Sequence, residues 1–256
     1  MMKFLKKFYL GIMMVFLYIP IVVLIVQSFN AGESRAKWEG FSLRWYGELL
    51  QDERILQALY VTVSIAVIAM VVSTILGTLA AIGIHAMKKR PQALMMTLTN
   101  LPNTMPDIVT GISLMLLFLF TKVERGYMTM LLAHITFDTP YVILSVLPKL
   151  KQMNRHTYEA ALDLGATPMY ALFHVIIPQC KQGIITGAML AFTLSLDDFT
   201  ISYFTTSPLV QNLSTLIYSS ARKGIDPSLN ALSALMFVAL LVLLLIVNRR
   251  TADNNQ

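Results

Sequence analysis

The sequence predicts an all-α, polytopic membrane protein with six transmembrane helices in a single domain that covers residues 1–256. Hydrophobic residues make up 56% of the chain and charged residues only 13%, whereas a soluble domain carries about 25% charged residues. The apolar residues form long runs without charge, which is the pattern of segments that cross a bilayer. Lys and Arg collect at the ends of these runs, where they determine topology.

Composition also excludes several classes of protein. A single cysteine excludes a disulfide framework and a cysteine metal site. The 16 methionines fit packing in the core or against lipid, so we expect no metal and no cofactor. The net charge of +6 does not indicate nucleic-acid binding, because the basic residues flank apolar runs.

The six predicted spans cover residues of about 8–28, 55–87, 91–121, 126–147, 183–206 and 229–247. The first apolar run is too long for a cleaved signal peptide. Trp38, Trp45 and Tyr46 suit an external loop, residues 31–54, that rests on the membrane interface. Pro102 and Pro106 interrupt the third span, which we expect to be broken near its middle.

The distribution of basic residues favours both termini in the cytoplasm. With the N-terminus inside, twelve of the 20 Lys and Arg residues fall on the inner side and eight on the outer side. Short cytoplasmic loops carry an excess of Lys and Arg. The prediction therefore places the polar segment before span five, residues of about 150–180, in the cytoplasm.

Local signals predict two short helices in this cytoplasmic segment. Residues 159–164 favour a helix, and Gly165 suits the left-handed position that follows a helix C-terminus. Thr167 and Pro168 fit an N-cap and the first helical position of a second helix, which Pro178 ends. These signals alone leave open an interfacial helix pair that merely connects two spans.

The same residues carry a resemblance to a known family. Glu159-Ala160-Ala161, three residues, Gly165, nine residues and Val175-Ile176-Ile177-Pro178 resemble the EAA motif of binding-protein-dependent ABC transporter permeases. Other segments resemble the second permease subunit of spermidine/putrescine importers; these are residues 17–20, 28–30, 105–109, 134–137 and 194–199. Asp138 departs from the family pattern, so no family role is assigned to it.

The resemblance implies a type I ABC importer permease fold in a bacterial cytoplasmic membrane. It implies that Glu159, Ala160, Ala161, Gly165 and Pro178 belong to the element that couples the permease to its ATPase. The implied partners are a sister permease in a heterodimer, two copies of a P-loop ATPase subunit and an extracytoplasmic polyamine-binding protein. The sequence has no Gly-x4-Gly-Lys-Ser/Thr loop of its own, so we expect a non-catalytic chain.

Carboxylates inside the predicted spans are the candidate substrate-pathway residues. Each intramembrane charge costs about 2.5–3.5 kcal/mol and indicates a functional site by default. Polyamine ammonium groups need such carboxylates or aromatic faces. The predicted pathway residues are Asp107, Asp138, Asp197, Asp198, Tyr203 and Phe204.

Structural alternatives remain open for three of these acids and for His134. Asp107 would cap the half-helix after the break, and Asp198 would pair with a base of the partner subunit. Asp138 would bind Thr136, Thr139 or a neighbouring helix, and His134 would be a satisfied core residue. At the level of function, the alternatives are a permease for another small solute and an ion-coupled secondary transporter. The latter explains acids and a broken helix at mid-membrane but not the cytoplasmic helix pair.

Overall fold

The computed structural model describes residues 2–33, 37–223 and 227–253, so residues 34–36 of the predicted external loop lie outside it. Nearly all of the described backbone is helical, and it contains isolated β-bridges but no β-strand. The predicted all-α membrane class is confirmed. The helices are α1 Met2–Gln27, α2 Arg44–Leu49, α3 Glu53–Ala86, α4 Lys89–Thr104, α5 Asp107–Phe120, α6 Tyr127–Gln152, α7 Arg155–Asp163, α8 Pro168–Gln179, α9 Lys181–Asp197, α10 Thr200–Thr205, α11 Leu213–Lys223 and α12 Pro227–Asp253.

Three helices are each long and apolar enough to cross a membrane, namely α1 from Lys7, α3 and α6. Two bent pairs add up to two more spans; α4 and α5 meet at 104°, and α8 and α9 meet at 71°. The apolar part of α12, Pro227–Val242, is shorter. By length and composition the described helices provide three to five candidate spans, and the number six stays a prediction.

The predicted third span is broken at Pro106, one of the two prolines that were expected to interrupt it. Met105 is extended, and α5 begins directly after Pro106, because the residue before a proline disfavours helical angles. Pro102 instead lies inside α4 and does not interrupt it. It lies in the last turn of that helix, so the one helical hydrogen bond that its missing N–H removes, to the Leu98 carbonyl, lies close to the helix end.

The chain divides into two compact units, one formed by its two ends up to Leu56 and from Ile217, the other by Gln57–Leu216. In the first unit, Trp45 is only 3% exposed, and its indole N–H donates to the Asn30 carbonyl at 2.6 Å. The Asn30 side chain accepts the Glu39 N–H at 2.8 Å. The expectation that Trp45 rests on the membrane interface is therefore wrong, because it packs inside the folded loop.

In the second unit, glycines allow α3, α6 and α9 to pack closely. A Cβ at Gly77 would lie 2.6 Å from the Val142 side chain, and one at Gly183 would lie 2.8 Å from the Ser145 carbonyl. At Gly187 the added atom would lie 3.1 Å from the Val142 backbone. Small residues at helix contacts are the usual means of close approach in lipid. The three helices therefore form the tightly packed centre of this unit.

This contact predicts a difference between two glycines of α3. Gly77→Leu should lower the thermal unfolding temperature in detergent, since overpacking costs about 1–3 kcal/mol. Gly83→Leu is the matched control, because nothing lies within 4 Å of a Cβ at Gly83. Equal unfolding temperatures of the two variants would contradict the close packing of α3 on α6.

Candidate functional site

The predicted fifth span, residues of about 183–206, is not one helix but is broken at the aspartate pair Asp197 and Asp198 into α9 and α10. Helix α9 ends at Asp197, Asp198 is extended, and α10 begins at Thr200. The Asp198 carboxylate accepts the backbone N–H groups of Ile201 and Ser202 at 3.1 and 2.7 Å. A carboxylate in this position satisfies the free N–H groups of a helix start. The side chain of Asp198 is 9% exposed, so its first role in the fold is to cap α10.

His134 and Asp138 lie one turn apart on α6 and are buried. The two ring nitrogens of His134 contact serine hydroxyls at 3.0 Å each, Nδ1 with Ser195 and Nε2 with Ser202. Ser195 also donates to Asp138 Oδ2 at 2.6 Å. His134 is thus a satisfied residue of the core, as one of the sequence alternatives has it.

Of the alternatives for Asp138, a hydrogen bond to a neighbouring helix is the one observed, since its partner Ser195 lies on α9. The hydroxyls of Thr136 and Thr139 donate instead to carbonyls of their own helix. Its second oxygen, Oδ1, is buried and has no hydrogen-bond partner among the described residues.

Asp107, Asp197 and Tyr203 are the exposed members of the predicted set. Asp107 is the first residue of α5, and no side chain caps that helix. The capping alternative for Asp107 therefore finds no supporting bond, although its charge suits a helix N-terminus. Tyr203 is 47% exposed, and its ring lies edge-on to Phe204 with centroids 5.4 Å apart.

The structure brings the predicted residues into one neighbourhood. The charge of Asp198 acts on both Asp138 and Asp197, and Tyr141 is within electrostatic reach of Asp107 and Asp138. Helix α5 packs on α10, where a Cβ at Gly111 would lie 2.9 Å from the Phe204 ring. Among the described residues no Lys or Arg forms an ion pair with any of the four acids.

The helix pair α7 and α8 forms as the local signals predict. Gly165 has a φ of +87°, and its N–H and that of Ala166 bond the carbonyls of Leu162 and Ala161 at 2.9 and 3.0 Å, which is a Schellman motif. Thr167 caps α8 through the Tyr170 N–H. Helix α8 passes through a π-helical turn and ends at Gln179, one residue beyond the predicted Pro178.

This helix pair presents an exposed surface of small and apolar residues. Glu159, Ala160, Gly165 and Pro178 are exposed, and Ala161 is half-buried. Ala161 and Gly165 line an open pocket of about 470 Å³ together with Tyr170 and Val175. Leu164 beside it is 89% exposed. Exposed apolar patches of this kind are typical of sites that bind another protein or a membrane.

Comparison with known proteins decides the family. The family model described as "Binding-protein-dependent transport system inner membrane component" matches residues 73–251. The chain belongs to this family. The permease is 40% identical to the putrescine transport system permease protein PotI of Escherichia coli (strain K12) over 231 residues, 88% of this chain and 82% of that protein. It is 34% identical to the spermidine/putrescine transport system permease protein PotC of Haemophilus influenzae over 252 residues, 98% of both chains.

Solved structures agree on the fold of the permease. A bacterial ABC transporter that imports the acidic polysaccharide alginate matches 98% of this chain and 95% of its own, with a TM-score of 0.74 at 16% identity. The MetNI methionine ABC transporter in an inward-facing conformation matches 80% of this chain and 99% of its own, with a TM-score of 0.59 at 14% identity. At such identities the likeness shows an ABC importer permease fold and nothing about substrate.

Sequence reasoning missed several residues that shape the site of the permease. Ser195 and Ser202 are bound to His134, and Asn212 donates to the Ser202 hydroxyl at 2.8 Å. Serine and asparagine near helix ends are common, so no local signal singles these residues out. Their role appears only when partners from distant parts of the chain meet.

Proposed function

We propose that this permease subunit imports polyamines, driven by ATP hydrolysis on a partner chain. The carrying observation is the set of four neighbouring carboxylates without a Lys or Arg counter-ion among the described residues. An intramembrane carboxylate is costly, and a cation that pairs with it offsets this cost. The names of the relatives, putrescine and spermidine/putrescine permeases, support a cationic amine as that partner.

The exposure of the residues assigns them different parts in this pathway. Asp107, Asp197 and Tyr203 are exposed, so they are the proposed contacts for ammonium groups. A tyrosine ring face attracts an ammonium group within about 6 Å. Asp138, Asp198 and Phe204 are less exposed, and we propose no direct contact of them with the substrate. The two acids add negative potential to the pathway, and Phe204 packs against the ring of Tyr203.

The proposed assembly is a heterodimer with a sister permease, two P-loop ATPase subunits and an extracytoplasmic polyamine-binding protein. The surface of α7 and α8 is the proposed ATPase contact, with Glu159, Ala160, Ala161 and Gly165 in it and Pro178 at its end. A solved alginate transporter with the same fold forms a complex with its periplasmic protein (TM-score 0.69). Six spans in one domain, with both termini in the cytoplasm of a bacterium, complete the proposal.

The energy source separates this proposal from an ion-coupled secondary transporter. The permease reconstituted with its three kinds of partner should accumulate labelled putrescine or spermidine only when ATP is supplied. Uptake driven by an ion gradient without ATP would overturn the proposal. ATP-dependent uptake of a different solute, without uptake of either polyamine, would overturn only the proposed identity of the substrate.

Removing the two exposed charges should reduce uptake while the complex still assembles. Each of Asp107→Asn and Asp197→Asn should lower polyamine uptake by about tenfold or more, because a hydrogen bond to a charged group contributes about 1.5–3 kcal/mol. Glu124→Gln, at an exposed acid in the turn between α5 and α6, is the control. Normal uptake by the double variant would refute the cation pathway.

Asp198→Asn tests the division of roles among the acids. Asparagine caps a helix about as well as aspartate, so this variant should keep most of its uptake. A loss as large as that of Asp197→Asn, with intact assembly, would return Asp198 to direct contact with the substrate.

The left-handed conformation of Gly165 predicts a sharp dependence on the residue type there. Gly165→Val should abolish uptake while the protein still inserts, because a β-branched residue at a φ of +87° is strained. Gly165→Asn should retain much of the uptake, since asparagine tolerates this conformation. Gly126→Val, where an added Cβ has open space, is the control. Full uptake with Gly165→Val would remove the coupling role.

A further inference from the structure

The break between α9 and α10 leaves the direction of α10 to be explained. Helix α9 is held against α6 by the close contacts at Gly183 and Gly187. Helix α10 has only 6 residues, and a helix this short does not hold its own conformation. Only residues 198 and 199 join α9 to α10, so tertiary contacts must set the direction of α10.

His134 bonds to both sides of this break. Its Nδ1 contacts Ser195 on α9 and its Nε2 contacts Ser202 on α10, both at 3.0 Å. We propose that His134 is a positioning residue that clamps the two halves of span five and fixes the direction in which Asp197 and Tyr203 project. The consequence for transport rests on the proposed function, whereas the clamp itself does not.

The directions of the hydrogen bonds around His134 fit a single arrangement of protons. The Asn212 amide nitrogen can only donate, so Ser202 accepts from it at 2.8 Å. At the other end, Ser195 gives its single proton to Asp138 Oδ2 at 2.6 Å, so it accepts the proton that the neutral ring carries on Nδ1. The Nε2 atom of that ring is then left to accept the proton of Ser202. Each hydroxyl gives one hydrogen bond and receives one along this chain, and Asp138 is its final acceptor.

The far end of the chain is anchored as well. Asn212 also donates to the Asp198 carbonyl at 3.2 Å, and its side-chain oxygen accepts the Thr215 N–H at 3.0 Å. The Leu213 N–H donates to the Thr62 hydroxyl at 2.8 Å. The start of α11 is therefore fixed to α3, and through Asn212 it holds Ser202 by a second contact besides that of His134.

The clamp lies on the helix that leads to the proposed ATPase contact. Helix α6 carries His134 and ends at Gln152, and α7 begins at Arg155. A displacement of α6 therefore acts on α9 through the glycine contacts and on α10 through His134 and through the Thr129 hydroxyl, which donates to the Thr205 carbonyl at the end of α10 at 2.8 Å. With the clamp intact, both halves of span five follow α6 together; without it, α10 loses the bond next to the break and follows less closely.

Spin-label distances test the clamp without any transport assay. Labels at Leu190→Cys on α9 and Tyr203→Cys on α10, both exposed positions, would be measured in the assembled complex with Cys180→Ser. The otherwise unsubstituted complex should give one narrow distance distribution, and His134→Leu should broaden it. Ser195→Ala and Ser202→Ala remove one contact each and should broaden it partly, and they guard against misfolding of the histidine variant.

The matched control is Thr193→Val on α9, whose hydroxyl donates to the Met189 carbonyl of its own helix. It should leave the distribution unchanged. Unchanged distributions in both serine variants would overturn the clamp, as would equal broadening by Thr193→Val.

Transport gives the second readout. His134→Leu should lower uptake per ATP hydrolysed by about tenfold, the size expected for the loss of one to two hydrogen bonds. Adding Ser202→Ala to His134→Leu should cause a smaller loss than Ser202→Ala causes alone, because the contact that they share is already gone. Additive losses would overturn a shared contact. A complex that transports no polyamine would instead refute the proposed function, and the spin-label result would still decide the clamp.

Discussion

The hydrocarbon core of a bilayer offers no hydrogen-bond partner, so each polar group in a span must find one inside the protein. This constraint sorts the acids of the permease. Asp138 and Asp198 find partners within the chain, in Ser195 and in the first turn of α10. Asp107 and Asp197 lie exposed at a helix start and a helix end. The first pair shapes the fold, and the second pair is the one that we propose to bind a cation.

The same constraint explains why breaks in the spans coincide with the acids. A break frees backbone N–H groups that a carboxylate satisfies, as Asp198 does at α10. Glycine contacts make α3, α6 and α9 a firm unit, whereas the short α10 depends on side chains. A firm unit of three helices beside a short helix that a few side-chain contacts hold is an arrangement in which small displacements change the direction of the site.

Features encoded by neighbouring residues could be predicted from the sequence. Uncharged runs predict the spans, and the turn at Gly165 with the Thr167 cap follows from residues a few positions apart. The places of Pro102 and Trp45 could not be predicted in this way. A helix tolerates a proline close to its end, and the partner of the Trp45 indole is the carbonyl of Asn30, 15 residues away. The partners of His134 lie 61 and 68 residues away. No local pattern reveals such contacts, so the acids could be named from the sequence but their separate roles could not.

The central claim is that the exposed acids at the two breaks receive the ammonium groups of a polyamine. Cryo-electron microscopy of the assembled transporter with bound spermidine tests it most directly. The account predicts an ammonium nitrogen within about 4 Å, the span of an ion pair, of the Asp107 or Asp197 carboxylate, with a tyrosine face of Tyr203 beside the chain. Spermidine bound in the transmembrane region with no ammonium group near either carboxylate would contradict it.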